Sequence, residues 1–174
     1  GHASETLEAL VALRPGGRQT APADLVEVTA GLVADMVLTA GLAADRTAAR
    51  ARVQAAWDDG AAWTCTRHWI EAQGGRLQWD APDLGLDVAP VTAEVLAPEA
   101  GWLKVTDARA VGLALADLGG ARLQVEDTID HAVGIDWLVS TGTKVEAGQP
   151  LARLRGGRDQ QQIQAKQRLL EAVE

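Results

Sequence analysis

Apolar positions recur at helical spacing through the first seventy-odd residues, and the spacing changes character after them. Leu7, Leu10 and Val11, with Arg14, trace one face of a segment that Ser4 can cap and Pro15-Gly16-Gly17 must end. Pro22 suits the first turn of a second helix, in which Leu25, Val28, Leu32 and Met36 recur up to Gly41. Asp45 is a natural cap for a third over 47–57, closed by Gly60, and a fourth spans 61–73 before Gly74-Gly75. From Val91 onward the runs shorten. VTAEVLA, GWLKVT, DWLVST and PLARLR are apolar or β-branched and separated by Pro and Gly, which predicts short strands. One helix is inserted among them: Asp107 caps it, Val111, Ala114, Leu115 and Leu118 share a narrow face, and Gly119-Gly120 stops it. A polar helix over 159–173 closes the chain.

These patterns predict an α+β chain with a helical N-terminal half, followed by a small antiparallel or barrel-like β unit holding one inserted helix and a C-terminal helix. The helical half occupies 1–75 and is incomplete as an α/β fold by itself. RLQWDAPDLGLDVAP, at 76–90, has no sustained period and reads as a connecting segment, leaving 91–174 as the C-terminal α+β domain. Gly112, inside the inserted helix, costs about 1 kcal/mol relative to alanine. Its expected use is to let another backbone come close.

Composition narrows the class. The net charge of −8 argues against a nucleic-acid surface, which needs clustered Lys and Arg. No apolar run reaches the roughly 20 residues of a membrane span, no signal peptide opens the chain, and the single Cys65 excludes an intrachain disulfide. A cytoplasmic protein is expected, with no nucleic-acid or membrane partner. The aromatic set is six Trp with no Phe or Tyr. Scattered in this way, the tryptophans read as packing groups.

Candidate chemistry is sparse. The three lysines, Lys104, Lys144 and Lys166, lie outside any Gly-rich loop leading into a helix. Gly119-Gly120-Ala121-Arg122 is the nearest anion nest, but it follows a helix, so carbonyls rather than N–H groups face outward there. His2, His68 and His131 are far apart in sequence and read as surface or satisfied core groups. Cys65, with His68 three residues on, reads as a buried structural thiol. Glu126, Asp127 and Asp130 form an acidic cluster that resembles a paired-carboxylate site.

The ordered strings DARAVGLALADLGGAR, EDTIDHAVG and GTKVEAGQPLARL, preceded by GAAWTCTRHWIEAQGG and GHASETLEAL, resemble the C-terminal part of the thymidine phosphorylase and pyrimidine-nucleoside phosphorylase family. The resemblance implies a homodimeric pentosyltransferase that moves the pentosyl group of a pyrimidine nucleoside to phosphate. The products are free base and pentose 1-phosphate, formed through an oxocarbenium-like transition state, with no organic cofactor. It also implies that the phosphate loop, with its Lys and Ser, and the base-reading residues fall before the position matching Gly1. No catalytic and no substrate-binding residue is therefore expected in this sequence. One ligand carries over by counting along the motif: Glu8 corresponds to the carboxylate that bacterial relatives use to hold a monovalent cation, potassium. Here His2 replaces the common Asn, and the carbonyl-bearing partners lie outside the chain. The resemblance also makes 1–75 the helical portion of the family's large α/β domain and the turn at Glu126, Asp127 and Asp130 structural, and the role it implies for the residues present is support and closure geometry rather than bond-making.

The alternative is a non-catalytic binding or carrier module with the barrel-sandwich shape of biotinyl and lipoyl domains, suggested by the strands around VEAGQPL. Such modules present a modified lysine at a hairpin tip. Lys144, in GTKVEAG, precedes the wrong turn for that role.

Overall fold

The computed structural model describes residues 2–122 and 124–174. Among the described residues the chain is α+β, with helices α1 (Ala3–Leu13), α2 (Ala23–Thr39), α3 (Arg46–Asp58), α4 (Ala61–Ala72), α5 (Ala108–Leu115) and α6 (Asp159–Glu171). The strands are β1 (Val91–Leu96), β2 (Gly101–Trp102), β3 (Gly134–Trp137), β4 (Lys144–Val145) and β5 (Pro150–Arg155). Two compact units result, Thr6–Gly85 and residues up to Glu5 together with Leu86–Glu174.

The helical unit is held by small residues and by tryptophan. Ala34 of α2 packs on Ala49 and Val53 of α3, and these three are the buried centre of its cluster. Glu27–Arg50 at 2.7 Å and Asp35–Arg46 at 3.1 Å join the same two helices in exposed positions. Trp57 is buried and donates its indole N–H to the Ala12 carbonyl at 2.7 Å, fixing α3 against α1. Trp63 and Trp79 meet edge to face at 5.4 Å, with Arg14 over the first ring and Arg67 over the second. Arg14 also donates to the Trp79 and Ala81 carbonyls at 3.2 and 2.6 Å, so the irregular stretch after α4 is tied down on the helices. There Leu84 is fully buried at φ 58°. A left-handed leucine costs of order 1–3 kcal/mol, and burial of the side chain offsets it.

In the C-terminal unit β5 is the central strand of a three-stranded antiparallel sheet of order β1-β5-β3, with Val95 opposite Ala152 and Ile135 opposite Leu154. α5 and α6 cover it. Val95, Ala114, Leu118, Val133, Ala152, Leu154, Ala165 and Leu169 form one core, and Ala97, Leu103, Val139, Val145 and Leu151 form a second. β2 and β4 pair separately over only two residues each, which is too short to close a barrel, so of the two forms expected the β unit takes the antiparallel one, as two open sheets.

Several boundaries also move. The strand expected over DWLVST is shifted to Gly134–Trp137, after which Leu138 N–H still reaches the Leu151 carbonyl at 2.9 Å. GWLKVT pairs with β4 only through Gly101 and Trp102, because Lys104 exchanges backbone bonds of 2.7 and 2.9 Å with Glu174 instead. Val105 and Val173 form a bridge beside them. That pairing is why the last helix ends at Glu171 rather than continuing to Val173. The inserted helix ends in a π-helical turn, Ala116–Gly120, with Gly119 at φ 100°. The turn buries Leu118 and directs Asp117 to Arg168 at 2.6 Å.

Candidate functional site

A concavity of about 330 Å³ lies beside α5 and β3 in the C-terminal unit. That is at the lower end of small-ligand sites. Its elements follow from local sequence. Asp107 Oδ1 accepts the Ala110 N–H at 3.0 Å and starts α5. Ala114 and Leu118 then turn into the core, which leaves Val111, Gly112 and Leu115 facing the space. Ile135 and Trp137 of β3 form another wall.

The polar rim comes from the start of the chain. Ala3 N–H bonds to the His131 carbonyl at 2.9 Å, and His2 Nε2 lies 2.7 Å from the Gly120 carbonyl. A carbonyl can only accept, so Nε2 carries the proton and Nδ1 faces Glu5, 4.0 Å away. Two glycines make this seating fit. A Cβ on Gly120 would stand 2.7 Å from His2 Nε2, and one on Gly134 would stand 2.6 Å from Ser4 Oγ.

Gly112 behaves differently from its expected use. A Cβ there would meet nothing within 4 Å, so it opens onto the cavity and no backbone approaches it. The rim was hard to foresee because His2 and Glu5 are brought to it from more than a hundred residues away. The usable signal was the division of α5 and its π turn into a buried pair, Ala114 and Leu118, and a second pair, Val111 and Leu115.

The remaining sequence candidates are dispersed. Glu8 is an exposed residue of α1. Among the described residues no group of three or more His, Cys, Asp or Glu could hold a metal ion. The Gly120 carbonyl receives His2 and the Gly119 carbonyl receives the Asp130 N–H at 3.0 Å, so the glycine pair accepts hydrogen bonds as its position at a helix end requires. His2 and His131 approach with ring centroids 6.2 Å apart, and His2 Nδ1 lies 4.0 Å from a Glu5 carboxylate oxygen.

Cys65 is exposed, not buried. It shares a shallow depression of the helical unit with Asp59, Thr64 and His68. Asp130 closes a local turn by accepting the Ala132 N–H, and Asp127 accepts that of Gln124. Resolved shifts in acidity fall on ion pairs outside the cavity. Arg168 is raised by its hydrogen bond to Asp117, and Glu27 is lowered by its hydrogen bond to Arg50. The cavity can accept an apolar group beside one carboxylate.

Residues 102–174 match the model of the pyrimidine nucleoside phosphorylase C-terminal domain. That stretch, and not the helical unit, is what the family model recognises. The match covers α5, its π turn, β3, β4, β5 and α6, and so includes the α5 and β3 walls of the cavity. Thymidine phosphorylases of Burkholderia cenocepacia and Burkholderia orbicola are each 40% identical to the chain over 150 residues, which is 86% of this chain and 34% of the relative. The chain thus spans about a third of the length of the curated relatives it matches. The match to the pyrimidine nucleoside phosphorylase C-terminal domain model disfavours the carrier reading, and so does Lys144, which pairs with Trp102 inside a sheet rather than standing at a hairpin tip.

Proposed function

We propose that this chain is the C-terminal part of a pyrimidine-nucleoside phosphorylase. The intact enzyme exchanges the base of thymidine or uridine for phosphate: a phosphate oxygen bonds to the pentose C1′ as the bond from C1′ to the base nitrogen breaks. Products are the free base and pentose 1-phosphate. The observation that carries this reading is 40% identity to thymidine phosphorylases over 86% of the chain. The intact protein works in the cytoplasm as a homodimer, with nucleoside and phosphate as its partners and no nucleic acid or membrane.

The contribution of these residues is support and closure geometry. Glu8 gives one carboxylate to a potassium site whose other ligands come from outside this chain. The test is direct. The isolated chain, given phosphate with thymidine or uridine, should release no base above background. A chimera in which it replaces the matching third of the Burkholderia cenocepacia enzyme should release base. Turnover by the isolated chain would sink the supporting role, and an inactive but folded chimera would sink the enzyme class.

A further inference from the structure

We infer that the cavity beside α5 and β3 is a binding site for a small organic ammonium, a protonated primary amine carrying one aromatic ring or an apolar chain of similar bulk. The inference uses only this chain and does not depend on the functional reading above. Every lining residue falls within the C-terminal unit, His2, Ser4 and Glu5 included, so one compact body builds the site.

The walls select an apolar body. Val111, Leu115, Ile135 and Trp137 line the space and are packed against the buried core of the unit, so they are in place before a ligand arrives. Gly112 makes the room. A glycine inside a helix weakens it relative to alanine, and no neighbour requires one here, because a Cβ would meet nothing within 4 Å. The space it leaves belongs to the cavity. At about 330 Å³ the whole suits a ligand of a single ring.

The rim selects the charge. Among the described residues lining the cavity, Glu5 is the charged one, and its side chain is 66% exposed, so the carboxylate stands at the mouth in contact with water. An anionic ligand would be repelled by it, and a neutral one would leave it unused. Two acceptors converge at this point. His2 Nε2 donates to the Gly120 carbonyl, which leaves Nδ1 as the acceptor of the neutral ring, 4.0 Å from Glu5 Oε2. That gap is too long for a hydrogen bond between the two groups, and facing acceptors repel. The His2 backbone N–H reaches Oε2 at 3.3 Å and aims the carboxylate, which has further lone pairs to offer. An ammonium brings a positive charge and three N–H donors, enough to satisfy Nδ1 and the carboxylate together. Ser4 Oγ, seated against Gly134, is a further oxygen of the same lining.

The probe is 2-phenylethylamine, protonated at neutral pH, titrated into the full chain and followed by NMR of the amide and indole N–H groups. It should bind with a Kd of about 1 mM or tighter, with the largest shifts on Gly112, Ile135 and Trp137. 2-Phenylethanol keeps the ring without the charge and should bind about three- to tenfold more weakly, and phenylacetate more weakly still. Glu5→Gln retains an acceptor for the His2 N–H. It should bring the amine down to the affinity of the alcohol and leave the alcohol unchanged, which a merely structural role of Glu5 would not do. Gly112→Leu should weaken both probes at least about tenfold without lowering the melting temperature, since its side chain enters open space. Phenylacetate binding as tightly as the amine overturns the inference. So do equal losses of amine and alcohol in Glu5→Gln, shifts confined to other residues, and absence of saturation by about 10 mM amine.

Discussion

The two units solve the same problem with unequal means. The C-terminal unit closes two apolar clusters built from Leu, Val and Ala around β5, and the row it needs from α6, Ala165 and Leu169, is buried. The helical unit centres its cluster on two alanines and a valine, relies on ion pairs and Arg–Trp stacking around it, and leaves its longest helix with large apolar side chains in solvent. Self-sufficiency is therefore a property of individual units here, and the exposed row shows where the deficit lies. The family match agrees in one respect: the segment recognised as a domain, 102–174, falls wholly within the unit that closes its own core.

The sharpest way to break this comparison is to empty each core. Leu154 is fully buried in the central strand, so Leu154→Ala should destabilise the C-terminal unit by about 2–5 kcal/mol. Val53→Ala in the helical unit removes less from a site already walled by small side chains, and should cost about 1–2 kcal/mol. Urea titration followed by circular dichroism and tryptophan fluorescence gives both values. Equal costs would mean that the helical unit is as tightly filled as the other.

The next test stays inside the C-terminal unit and opposes two glycines of one segment. Gly120→Ala drives a Cβ to 2.7 Å from His2 Nε2 and 2.8 Å from the Leu115 carbonyl, and the second neighbour is backbone. A loss of about 1–3 kcal/mol is expected, together with release of the chain's first residues, visible as faster amide exchange at Ala3. Gly112→Ala meets open space within a helix and should instead stabilise by up to about 1 kcal/mol. If Gly112→Ala destabilises, a group not yet identified occupies the cavity.

Helices were legible because their signals are local. Asp45 and Asp107 cap as their sequence contexts required, accepting the Ala48 and Ala110 N–H groups, and Gly119 takes the positive φ that the glycine pair announced. Strands were legible only where both partners are long: β1 and β5 lie where their runs placed them, whereas Lys104 and Val105 chose the C-terminus over β4, a choice that depends on residues seventy positions away. Burial was the least legible property. Cys65 and Trp69 look like core residues by type yet are exposed, because burial depends on what lies across the helix and not on the helix itself. The cavity was hidden for a related reason, since its rim joins His2 and Glu5 to a helix beginning at Ala108.

The smallest effect concerns the charges that flank the α2–α3 contact. Glu27 is held below the ordinary glutamate value, first by its hydrogen bond to Arg50 and then by that guanidinium's charge. A carboxyl lowered in the folded state contributes stability that is fully present above its unfolded value and is lost as pH falls through the folded one. Acidification through the carboxylate range should therefore loosen α2 from α3, and Arg50→Gln should flatten that part of the pH profile while changing little at neutrality. Both groups are open to solvent, so the difference is small and should shrink further in high salt. Melting curves of the two proteins, taken across that range at low and high salt, decide it. A salt-independent difference would show the pair to be shielded, and the helical unit more enclosed than its exposed apolar row indicates.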